Sequence, residues 1–232
     1  MKKHFVLSAI LLTSATIFTS CEKEADTANT VTYQASPVNL TASVGASLSG
    51  SGLIVEASSK SSITWTEGVL NIEEIDFEAK KDGAAIEYSA QNLVNVDITR
   101  AASALGSVHI PDGTYDEVEL ELHLKKSATA DIPVRLKGNY TDLSGTATPV
   151  ELQINEDIDI SVEAENLVVT ADDHVARINM HLNKLLSGIS ISDLTMATKT
   201  NGTIVISSTS NTALYAKIMA SLETFAECEF ED

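Results

Sequence analysis

Val118-Glu119-Leu120-Glu121-Leu122-His123-Leu124 alternates apolar and polar side chains without a break, shortly after the turn-forming Pro111-Asp112-Gly113. A period of two places the valine and the three leucines on one face of a strand, with Glu119, Glu121 and His123 on the other. An apolar strand face has to be covered by a second layer, so this stretch predicts one sheet packed on another.

The same period recurs on both sides. Upstream, Leu70 and Ile72 alternate with polar neighbours, and Ile75, Phe77 and Ala79 resume in shifted phase after Glu73-Glu74, as a β-bulge would produce. Lys80-Lys81-Asp82-Gly83 then supplies an Asp-Gly turn, with Ile86 and Tyr88 on the returning strand. Val94, Val96 and Ile98 alternate again. Downstream come Ile132, Val134 and Leu136, then Val150, Leu152 and Ile154. Glu156-Asp157 separates that last run from Ile158, Ile160 and Val162, which predicts a hairpin. Ala176, Ile178, Met180 and Leu182 continue the pattern, and Ile204 with Ile206 gives a late strand. Helical spacing is clear only at Leu214, Ile218, Leu222 and Phe225; shorter helical turns are expected at 101–105 and 182–186. The fold class expected is therefore all-β: a Greek-key antiparallel β-sandwich with a C-terminal amphipathic helix. A single domain over 31–232 is the expected organisation, with two fused sandwiches as the alternative.

The first thirty residues read differently. Met1-Lys2-Lys3-His4 is a basic head, and an apolar stretch from Phe5 to Ile17 follows, too short for a permanent span. Phe18-Thr19-Ser20-Cys21 resembles a lipobox, although Phe18 stands where Leu is usual and Ser20 where Gly or Ala is. Residues 1–20 are thus expected to be a lipoprotein signal peptide and Cys21 the lipidated residue. Two or three acyl chains on that cysteine would hold the protein to a membrane. Residues 21–30 read as a flexible tether. Its Glu22-Lys23-Glu24-Ala25-Asp26 cluster resembles the surface-export signal of Bacteroidota lipoproteins, which implies the outer membrane, facing the exterior. Asp26-Thr27-Ala28 resembles the motif at which these bacteria attach O-glycans, which makes Thr27 a candidate acceptor.

Loss of residues 1–20 removes Lys2 and Lys3 and leaves 33 acidic against 13 basic side chains, a formal charge of −20. Such a surface repels phosphates and argues against nucleic acid as a partner. With Cys21 acylated, Cys228 is the only thiol left and no intramolecular disulfide forms; a Cys21–Cys228 bridge is the alternative.

The stretch from Val96-Asp97-Ile98-Thr99 through Ile110-Pro111-Asp112-Gly113-Thr114-Tyr115 to Leu120, together with Ile63-Thr64-Trp65-Thr66-Glu67-Gly68, resembles uncharacterised bacterial lipoprotein domains with transthyretin-like or immunoglobulin-like folds. The resemblance covers residues 60–182. It implies a tight turn and a tyrosine packed at a corner, and carries over no functional residue.

No nucleophile elbow, paired-histidine zinc motif, P-loop, dinucleotide fingerprint or calcium loop is present in the sequence. A non-enzymatic protein without a cofactor is expected. Three constellations remain. Glu121 and His123 share a strand face and could chelate a metal, though a solvated row is the plainer reading. Asp172-Asp173-His174 could bind calcium, though a polar turn is the plainer reading. Trp65 is the candidate glycan contact. The function expected is a surface-displayed accessory, adhesion or binding module. The alternatives are a glycan-binding lipoprotein beside an outer-membrane nutrient porin and a fimbrillin-like pilus subunit.

Overall fold

The computed structural model describes residues 28–45, 61–170 and 174–231. The strands are β1 (Ala28–Val38), β2 (Thr41–Ser43), β3 (Ser62–Lys81), β4 (Ala84–Asp97), β5 (Ser103–Pro111), β6 (Gly113–Leu124), β7 (Val134–Thr141), β8 (Ala147–Ile154), β9 (Ile158–Val169), β10 (His174–His181), β11 (Lys199–Thr200), β12 (Thr203–Ile206) and β13 (Ala226–Glu231). Two short helices interrupt them late in the chain, α1 (Ile191–Thr195) and α2 (Thr212–Met219). The chain is an all-β sandwich. Its smaller sheet runs β13-β10-β1-β5 and its larger sheet β11-β12-β8-β7-β3-β6-β9, with β2 and β4 on the other edge of β3. Pairing is antiparallel except between β1 and β10 and between β12 and β8. Among the described residues no helix is long and apolar enough to cross a membrane.

β3 organises the larger sheet. Residues 62–70 pair with β7, and residues 74–80 pair with β6 along the same edge. Asn71 bridges the hand-over: its amide nitrogens donate to the carbonyls of Ile132 and Pro133, and its Oδ1 accepts from the Asn95 N–H. The shift of apolar phase at Glu73-Glu74 has a cause other than the expected bulge. Pairing with β4 is in constant register from Ile72 to Lys81, so Ile72 and Ile75 point to opposite faces, and both are buried. The strand changes which face it buries as it changes partner. The bulges lie elsewhere, at Thr66 in β3 and at Val94-Asn95 in β4.

The second half of β3 faces β1 across the sandwich, where the Tyr33 and Phe77 rings stack with centroids 5.9 Å apart. The buried apolar side chains other than Ile132 form one contiguous cluster, which includes Leu120, Leu122 and Leu124 from the stretch that announced the fold.

Several expected elements are corrected. β8 and β9 do not form a hairpin: β8 pairs with β7 and β12, whereas β9 pairs with β6, so Glu156-Asp157 links two strands of the larger sheet that do not pair with each other. Alternation reveals a strand but not its neighbour. Residues 101–105 hold a turn and the start of β5 rather than a helical turn. The C-terminal helix is shorter than the spacing implied, because Leu222 lies in a separate 3-10 turn, Leu222–Thr224, and the chain then closes with β13. β1 begins at Ala28, inside the stretch expected as tether.

Candidate functional site

The outer face of the β4, β3, β6 and β9 strands collects the polar partners of the alternation. Cross-strand register sets them in rows: Gln91, Glu74, His123 and Asp159; Ser89, Asp76, Glu121 and Ser161; Glu87, Glu78, Glu119 and Glu163. The third row places four carboxylates directly opposite one another, an arrangement that is destabilising in itself. A trough of about 450 Å³ runs between the second and third rows, walled by Ser89, Asp76 and Glu121 on one side and by Glu87, Glu78 and Glu119 on the other.

His123 sits at the end of this field. Its Nδ1 lies 2.8 Å from Asp159 Oδ1 and its Nε2 lies 3.1 Å from Asp76 Oδ2, with Glu121 Oε2 at 3.7 Å. Carboxylates only accept, so it is the protonated ring, with two N–H donors, that satisfies both at once. Its pKa is raised, first by the hydrogen bond to Asp159 and further by Glu121 and Asp76, against an opposing desolvation effect. The cluster thus ties β3, β6 and β9 together by charge.

As metal ligands, Glu121, His123 and Asp159 each offer one atom, all within 4.8 Å of one another. An ion there would compete with protonation of the ring, because ligation needs a free nitrogen lone pair. Neither ring nitrogen is open to serve as a general base while both contact carboxylates.

The structure brings together the two residues singled out on β6 and adds Asp76 and Asp159, which the sequence did not disclose. Trp65 is corrected. Its side chain is 1% exposed, because it lies on the inward face of β3 with Ile63, opposite Gly138. A Cβ at residue 138 would collide with the Thr64 carbonyl and the Trp65 backbone, so glycine is required where these strands meet. A buried indole offers no stacking face to a sugar. Cys21, Thr27, Asp172 and Asp173 lie outside the described residues. The neighbour of the acidic pair, His174, is buried, and its Nε2 accepts the Thr170 N–H at 3.1 Å.

No protein-family model, curated protein or solved structure matches this chain.

Proposed function

We propose that the protein is a lipid-anchored, non-enzymatic binding module of the cell envelope, attached through Cys21 to the outer membrane and facing the exterior. The observation that supports this best is the placement of β1. It starts at Ala28, a few residues after Cys21, and is flanked on both sides by β5 and β10. A tether this short spans at most about 25 Å when fully extended. The fold would therefore stand directly on the membrane by a strand that is held on both sides. Thr27 falls within the tether and is the O-glycan acceptor in this reading.

The end of the sandwich nearest the anchor contains the Asp112 corner, which Asn29 grips through a side-chain hydrogen bond. His123 lies further along β6, about 35 Å from that corner at the usual rise per strand residue. The acidic sheet face is thus carried outward from the bilayer, in keeping with repulsion from anionic head groups. The packed Tyr115 beside the Pro111 turn supports the resemblance to lipoprotein sandwich domains.

Metabolic labelling with an alkyne fatty acid tests the anchor. Wild-type protein should take up label, and Cys21→Ala should remain unlabelled and uncut; an unlabelled wild type overturns the anchor. Protease applied to intact cells tests the orientation. Digestion that requires prior permeabilisation of the outer membrane overturns the outward placement.

A further inference from the structure

Among the described residues, β4 is an edge with little of the usual protection. It bonds to β3 along one side, and among the described residues no strand pairs with its other side. Natural edge strands are kept from pairing by shortness, lysine, proline, inward charge or a covering segment. β4 is 14 residues long and contains neither lysine nor proline. Its irregularities, the left-handed Asn92 and the bulge at Val94-Asn95, lie toward its far end and leave Ala84 to Gln91 regular. The inward-facing Tyr88, paired with buried Phe77, remains 46% exposed, so the apolar layer also stops short at this edge.

The outer face beside this edge has a definite charge. Glu87 on β4 begins the row that continues through Glu78, Glu119 and Glu163, and the trough next to it is walled by five carboxylates and Ser89. The cations on this face are Lys80, held between Glu78 and Glu117, and His123 at the far end.

We propose that the free edge of β4 accepts an extended strand from a partner protein, with Lys or Arg at alternate positions and apolar residues between them. Main-chain hydrogen bonds to β4 would supply the affinity common to strand addition, and alternate side chains the specificity. Basic side chains on the outer face would lie against Glu87 and reach into the trough, relieving the like-charge row. Apolar side chains on the inner face would continue the layer past Ile86 and Tyr88. A second copy of this chain is the poorer occupant, since it would bring the same acidic row and a further charge of −20 after loss of residues 1–20. The inference goes beyond the anchored-module reading and does not depend on lipid.

The test titrates the purified full-length protein with a fluorescent octapeptide alternating Lys and Val, read by anisotropy. Two comparison peptides are used: four Lys followed by four Val, and the alternating sequence N-methylated at every residue. The alternating peptide should bind, and its affinity should fall with added salt. The block and N-methylated peptides should bind about tenfold more weakly or not at all, and Glu87→Lys should weaken the alternating peptide by a similar factor. Binding that is indifferent to N-methylation shows general acidity rather than strand addition and overturns the proposal. So does equal binding of the block peptide, or a peptide-free dimer that Glu87→Lys disrupts. The N-methylated comparison uses unaltered protein, so it holds even where the variant folds poorly.

Discussion

Tyr115 donates its hydroxyl to the carbonyl of Pro111, 2.8 Å away, at the corner where the chain leaves the smaller sheet on β5 and enters the larger one on β6. The ring is fully buried, and Lys81 Nζ lies over it at 5.7 Å while donating to the Asp112 carbonyl at 2.9 Å. Gly113 follows at φ +153°, with Lys81 occupying the space that a Cβ would need. Tyr115→Phe keeps the packing and removes one hydrogen bond, so it should cost about 0.5–1.5 kcal/mol in denaturant melts. Tyr115→Ala should cost about 3–5 kcal/mol, as for other large-to-small aromatic changes in cores. Equal losses from the two would mean that the hydroxyl rather than the ring holds the corner.

Leu122→Ala should cost about 2–5 kcal/mol, because the side chain is fully buried in the shared core. Glu121→Ala, one residue away on the outer face, should change stability by about 0.5 kcal/mol or less. Comparable destabilisation by both, measured in urea, would contradict the assigned faces of β6.

Those faces were legible in the sequence because alternation is local. The partners were not. His123 meets Asp159 across 36 residues and Asp76 across 47, and no local pattern announces a cross-strand register of that length. Glu156-Asp157 looked like a hairpin turn for the same reason: a link between two strands that follow one another within a sheet and a hairpin between two that pair use the same polar residues. Trp65 failed differently. Period two was visible around it, with Ile63 and Trp65 on one face, but an aromatic on a strand can serve a core or a binding face, and only the packing of the second layer decides between them.

The His123 cluster gives the stability a definite pH dependence. An unfolded imidazole titrates near 6.5, and the folded value is higher. The contribution is therefore fully present below pH 6.5 and is lost as pH rises through the folded value. The difference in melting temperature between wild type and His123→Gln should be widest near pH 6 and close with increasing pH. A difference that stays constant or grows would show that the ring acts by packing.

Asp193 works in the opposite sense. It completes the capping box of α1 with Ser190 and lies 2.5 Å from Lys217 on α2, which lowers its pKa to about 2. A depressed carboxyl contributes above its ordinary value of 3.8 and loses that contribution as pH falls toward 2. Asp193→Asn should thus lower the melting temperature at pH 6 and bring it level with wild type at the acid end. A difference that persists there would place the effect in the cap rather than the charge.

Trp65 is the sole tryptophan and makes a clean optical probe. Its fluorescence should be blue-shifted in the native protein and poorly quenched by iodide, with both properties lost in urea. Oligosaccharides should leave the spectrum unchanged; a saturable shift would require the indole to be reachable.

The central position of β1 bears on how the fold carries load. Tension entering at Ala28 runs along the strand axis, while β5 and β10 hold β1 through hydrogen bonds on both flanks. Those bonds are sheared together rather than opened one after another. If Cys21 carries the proposed lipid, a pull on the folded domain away from the bilayer would meet the chain in that shearing direction.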